Sequence, residues 1–293
     1  MSQAQPAILA PVPQVARFLA IGLEPGCEPR AAMARLRELP IDDGMALGLG
    51  EPLVRALGAN IDLLRSFPAI TGPGCTFPST QGALWAWFRG DDSGALLQRA
   101  LRFLALLGDG FRVDEDVHAF KFREGRDLSG YEDGTENPKG DLAIAAAITS
   151  GRGDGLDGSS FVASQRWIHD LARFTKLPSL DRDQVIGRRL SDNVELADAP
   201  AFAHVKRAAQ ESFDPPAFML RRSMPWGNLT EHGLQFVAFG ASLDAFERVL
   251  QRMAGLDDGI VDGLLRFSRA VSGGYYWCPP VADGRLDLRK VEP

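Results

Sequence analysis

Short apolar runs, each followed by a helix-period stretch, set the rhythm of the first 122 residues. Residues 16–23 read as a strand, and residues 30–39, with Met33, Leu36 and Leu39 three apart, read as a helix. Residues 45–49 suit a strand, 53–57 a short helix, and 83–88 (ALWAWF) a strand dense in aromatics. An Ala- and Leu-rich helix over 94–107 and a strand over 111–122 complete an order close to βαββαβ. The second half restarts that order. It has strand-like 160–168, helical stretches near Leu171 and Arg182, strands at 217–220 and 233–239, helices at 243–253 and 260–267, and a closing strand at 275–278. Two rounds of one α+β order predict two tandem ferredoxin-like halves packed together.

Between them the pattern lapses. Residues 125–158 hold glycines at 125, 130, 134, 140, 151, 153, 155 and 158 among many acidic residues. A stretch this long without regular structure is uncommon inside a compact domain unless it is functional or disordered, and the chemistry of its residues favours function. The predicted organisation is therefore 1–124, a loop or linker at 125–158, and 159–293.

Composition narrows the class of activity. With 293 residues, 45% hydrophobic and 24% charged, the chain has a globular mixture and length for a large core. The net charge of -6 offers no general pull toward nucleic acid or an anionic membrane. No apolar run is long enough to cross a bilayer, and residues 1–13 lack the basic start and apolar core of a signal peptide, so a cytoplasmic location is expected. Cys27, Cys75 and Cys278 are scattered and odd in number, which suggests neither disulfides nor a thiolate metal site.

The four histidines are His118, His169, His204 and His232, without HxxxH or HExxH spacing, and there is no CxxC, GxSxG, phosphate-loop or dinucleotide motif. A lone histidine still suffices for haem, whose iron brings four equatorial ligands and needs one axial group from the protein. The glycine-rich segment carries Asp133 between Gly130 and Gly134, where the backbone can hold a carboxylate against a cofactor face. Farther along, AHVKR at 203–207 precedes RRSMPWG at 221–227.

Taken with GYEDGTENP at 130–138, IGRR at 186–189 and GGYYWCPP at 273–280, these motifs resemble the dye-decolorising peroxidase family, specifically its class B branch. The resemblance covers somewhat over half the chain. It implies haem b (iron protoporphyrin IX) held in the C-terminal half under the 125–158 loop. His204 matches the ligand of the iron, Asp133 the carboxylate on the peroxide side, and Arg221 the arginine beside it. Ser223 falls where asparagine is common, and Tyr131 where phenylalanine is. The aspartate that accepts from the ligating imidazole is expected at Asp262, ahead of Asp258. Arg188 is expected at a haem propionate, with Asn137 and the backbone around Thr135 at the same porphyrin edge and Phe239 over the peroxide face.

The implied activity is that of a haem peroxidase. Hydrogen peroxide is reduced at ferric haem to give a ferryl oxidant, which then takes single electrons from dyes, phenols or other organic donors. Trp85, Trp87, Trp167, Trp226, Trp277, Tyr131, Tyr275 and Tyr276 form the stock of aromatic relays. The resemblance further implies a homo-oligomer, and with no evident cargo tail, capture by an encapsulin shell is not expected. A haem-storing or haem-delivering protein with incidental peroxidase turnover is the rival reading, which leaves Asp133 and Arg221 without a purpose.

Overall fold

The computed structural model describes residues 3–291. The N-terminal half supplies β1 (Val15–Leu23), β2 (Met45–Leu49), β3 (Leu84–Gly90) and β4 (Phe111–Phe120), with helices α1 (Arg30–Arg37) and α2 (Ser93–Leu107). The C-terminal half supplies β5 (Ser160–His169), β6 (Met224–Gly227), β7 (His232–Gly240) and β8 (Gly274–Cys278), with helix α3 (Asp244–Met253). Antiparallel pairing orders the first four strands β4-β1-β3-β2 and the second four β6-β7-β5-β8. Both match the ferredoxin-like order 4-1-3-2, the second read in reverse, as the recurrent βαββαβ rhythm predicts.

The two sheets meet edge to edge. Leu49 of β2 pairs with Trp277 of β8, and Ala119 of β4 pairs with Trp226 of β6, so eight strands close into a barrel and leave few unpaired edges. Period-2 alternation then sorts the side chains. Phe18, Trp85, Trp87, Val162, Val237, Phe239 and Tyr276 point inward and fill the barrel. Phe18 stacks on Trp87 at 5.7 Å, and Phe239 lies 6.1 Å from both Trp85 and Trp87. Gly48 is required there, because a Cβ would stand 2.7 Å from that of Tyr276.

The intervening residues face outward. Leu19, Ile21, Leu84, Ala86 and Phe88 of the first sheet pack under Leu96, Ala100, Phe103 and Leu107 of α2. Asp92 starts that helix by accepting from the N–H groups of Gly94 and Ala95, and Gly108, at φ +82°, ends it. On the second sheet, outward residues of β5 and β7 lie under α3, whose Phe246, Val249, Leu250 and Met253 face them.

Three expectations need correction. The strand expected at 217–220 is confined to Leu220–Arg221, and the second sheet strand of this half is Met224–Gly227 instead. The 125–158 segment contains a helix, Asp141–Ala147, whose Ala143 and Ala147 join the barrel core, so only part of the segment is a loop. Residues 260–267 form a single 3-10 turn, Gly263–Arg266, capped by Asp262. Gly263 fits there because a Cβ would lie 3.0–3.1 Å from Val185 and Phe202 atoms.

Candidate active site

Between α3 and the outer face of β5 and β7 the packing stops short, leaving a cavity of about 940 Å³ counting its open mouth. Its walls are largely apolar, with Trp167 on β5, Leu234 and Phe236 on β7, and Phe246, Leu250 and Met253 on α3. Polar side chains gather on one part of the lining, among them His204, Arg221, His169, Asp127, Glu132 and Asp133.

His204 opens the short helix His204–Arg207. Its place depends on Gly187, which at φ +93° ends the helix Ser179–Ile186 and at which a Cβ would strike Val205 at 2.2 Å. His204 Nδ1 lies 2.8 Å from Asp262 Oδ2, and Oδ1 of the same buried carboxylate accepts from the Leu264 N–H at 2.8 Å. As a carboxylate, Asp262 accepts, so Nδ1 carries the proton and the Nε2 lone pair is left for the cavity. Among the described residues Nε2 has no hydrogen-bond partner. Burial opposes the charged imidazolium, but Asp262 outweighs it and raises the pKa; Arg221 lowers it and Asp133 raises it. Asp258 is engaged elsewhere, in a bidentate pair with Arg207 at 2.7 and 2.8 Å.

Asp133 and Arg221 line the same cavity. Arg221 ends the two-residue strand Leu220–Arg221, paired to Ala238 of β7, and its buried Nε has no partner among the described residues. Asp133 is held by its backbone N–H on Gly125 O at 3.1 Å. Tyr131 fastens the loop from beneath by donating to Asp183 at 2.5 Å; burial first, then that carboxylate, push its phenol pKa up.

The other expected residues surround this group rather than touch the cavity. Asn137 clasps the Arg221 backbone, accepting from its N–H at 2.9 Å and donating to its carbonyl at 3.0 Å. These two bonds give Asn137 a positioning role toward Arg221. Ser223 accepts from the Val237 N–H at 3.3 Å and lines a smaller cavity, about 420 Å³, that shares Asp133 and Arg221 with the main one. Thr135 accepts from Asn193 at 3.0 Å, and Arg188 donates to Glu136 at 2.6 Å and Glu195 at 3.2 Å, so neither lines the main cavity.

Phe239 is the clear miss. It lies inside the barrel between two tryptophans, because β7 alternates and the residues it turns toward the cavity are Leu234 and Phe236. The sequence reading also missed His169, whose Nε2 lies 3.1 Å from Asp127 and whose Nδ1 lies 2.7 Å from the Ser268 hydroxyl. Burial raises the Asp127 pKa, but hydrogen bonds from His169 and Ser129 hold it below the ordinary range. The clue was parity, since His169, Trp167 and Gln165 alternate along the cavity face of β5.

Comparison with known proteins accords with this geometry. The family model for the C-terminal part of Dyp-type peroxidases matches residues 124–283. The dye-decolorizing peroxidase of Mycolicibacterium paratuberculosis is 32% identical over 302 residues, covering 95% of this chain and 84% of that protein. The dye-decolorizing protein of V. cholerae aligns with TM-score 0.84 and 27% identity, over 94% of this chain and 97% of that one. A DypB variant from Rhodococcus jostii in complex with heme aligns with TM-score 0.86 and 26% identity, over 93% and 95%. An encapsulated DyP-type peroxidase from Mycobacterium smegmatis aligns with TM-score 0.83 and 26% identity, over 95% and 96%. With its two ferredoxin-like halves and a match from the glycine-rich loop to the last strands of the barrel, the chain belongs to the Dyp-type peroxidase family and is a peroxidase.

Proposed function

We propose that the cavity would hold haem b through His204, and that the chain reduces hydrogen peroxide there and oxidises dyes, phenols or similar organic donors one electron at a time. The observation that carries the reading is the free Nε2 of His204, its Nδ1 tied to buried Asp262, facing an apolar cavity that also receives Asp133 and Arg221. That donor set suits haem: one imidazole nitrogen free for the iron, a largely apolar wall for the porphyrin, and a guanidinium, that of Arg221, on the same lining. On this reading residues 1–124 are the supporting half, 125–158 cover the site in part, and 159–293 carry it.

Haem supplies the iron and porphyrin redox chemistry that accepts the two oxidising equivalents of peroxide. The protein's part is proton and charge handling. Asp133 takes the proton from one peroxide oxygen and returns it to the other, which leaves as water. Arg221 stabilises negative charge developing on the departing oxygen and, being always protonated, cannot serve as the base. Asn137 fixes the Arg221 backbone, Asp262 keeps the His204 tautomer, and the apolar wall excludes bulk water. Arg188, which now pairs with Glu136 and Glu195, would be the partner for a propionate.

The test is the visible spectrum of haem-loaded protein before and within milliseconds after one equivalent of peroxide. Wild type should show a Soret band that changes at once, and His204→Ala an altered or missing band. Arg221→Ala should respond about 100- to 1,000-fold more slowly, the usual cost of a lost donor to developing charge. A stable Soret band indifferent to peroxide in wild type would make the chain a haem carrier.

A further inference from the structure

His169 forms part of two walls. One bounds the cavity and the other bounds a groove on the outside of the C-terminal half, about 920 Å³ with its open face counted. Arg173, Arg266, Arg269 and His232 line this groove, against a single carboxylate, Asp170. Asp170 is already committed, accepting from the Arg173 backbone N–H at 2.8 Å. Among the described residues Arg173 and Arg269 form no ion pair, and Arg266 lies over the Phe202 ring at 3.8 Å. Some arginines elsewhere pair with acids, as Arg65 does with Glu247 and Arg189 with Asp192, and others do not; what sets this place apart is that three arginines share one concave wall. Unpaired cations gathered in one concave place on a chain of net charge -6 therefore mark a local field, not a general basic character. Leu171, Leu265 and the edge of Phe267 add apolar surface.

Resting on the peroxidase reading above, we propose that this groove is the binding site for the electron donor, and that the donor class is an aromatic anion, a phenol carrying a carboxylate. The guanidiniums hold the carboxylate and the apolar floor takes the ring. Each donor gives up one electron and its hydroxyl proton, and two donors balance one peroxide: H2O2 + 2 AH → 2 H2O + 2 A•. The proton passes to water in the open groove. The electron crosses the wall at His169, whose ring centroid is 5.7 Å from that of Phe267 on the groove side. A donor too bulky for the cavity is thus oxidised without entering it.

The experiment uses the haem-loaded full chain with ferulate, an anionic phenol, and guaiacol, a neutral one. Calorimetry without peroxide should show ferulate binding that weakens with added salt, as exposed charge pairs are screened. Arg173→Glu combined with Arg269→Glu should lower ferulate affinity about tenfold and lower the ferulate-to-guaiacol ratio of kcat/KM by a similar factor. Lysines at both positions should restore most of each, separating charge from fold. Ferulate binding and a ratio unchanged by the double reversal would overturn the proposal while the Soret band and its peroxide response stood. Loss of those two signals in wild type would instead overturn the peroxidase reading and the groove assignment with it.

Discussion

The two halves share a strand order and differ in what lies on the outer face of the sheet. In the N-terminal half α2 lays Leu96, Ala100, Phe103 and Leu107 directly on the strands, and Phe88 meets Phe103 at 5.5 Å. In the C-terminal half the helix in the corresponding place, α3, stands over Trp167, Leu234 and Phe236 with a cavity between. Neighbouring chemistry differs as well. His118, the histidine of the first half, bonds to Ser93 at the surface and to no acid among the described residues, whereas His169 and His204 are each paired with an aspartate at the cavity. The same architecture thus yields a sealed support when its outer face is filled and a site when it is not.

The largest effect should come from closing the gap. Val249→Trp places an indole in the cavity and should abolish haem uptake, read as loss of the Soret band on titration, while circular dichroism of the haem-free protein stays folded. Ala100→Trp on α2 meets a filled face, so overpacking should cost about 1–3 kcal/mol without blocking the site. Equal haem uptake by both variants would break the comparison. A smaller contrast follows from deletion. Phe88→Ala, fully buried, should lose roughly 3–5 kcal/mol in urea unfolding of the haem-free protein. Phe236→Ala should lose about 1–2 kcal/mol, since its ring already borders open space and forfeits fewer contacts.

Element order was legible because period-2 and helical runs alternate cleanly, and the recurring order identified both halves. Closure of the barrel was not, because it hangs on single pairings, Leu49 with Trp277 and Ala119 with Trp226, that no local pattern announces. The helix Asp141–Ala147 was hidden by the glycines around it, although its alanines favour helix. At the site, residues fixed by motif spacing (Asp133, His204, Arg221) fall at one cavity. Those placed at the haem by a looser analogy, Asn137, Thr135 and Arg188, bond to protein groups away from the main cavity lining. Phe239 required the parity of β7, which a list of motifs does not carry.

The contrast between a charged site and an inert support sharpens finally into a question about His204. Its pKa is raised in the folded chain because the Asp262 carboxylate outweighs burial. A group whose folded pKa is raised adds stability below its unfolded pKa, about 6.5 for histidine, and that stability fades as pH rises through the folded value. Asp262→Asn removes the principal attraction while burial and Arg221, both of which lower the pKa, remain, so the imidazole should titrate at lower pH. In haem-free protein the variant should therefore lose more stability relative to wild type at pH 5.5 than at pH 8.5, as read by urea unfolding, with imidazole proton resonances following the shift. Asp258→Asn, which weakens the pair with buried Arg207 but leaves the bond between His204 and Asp262 in place, should leave the His204 titration where it was. A deficit for Asp262→Asn that is the same at both pH values would mean that the carboxylate acts through its hydrogen bond to the Leu264 N–H and not through the charge of the imidazole.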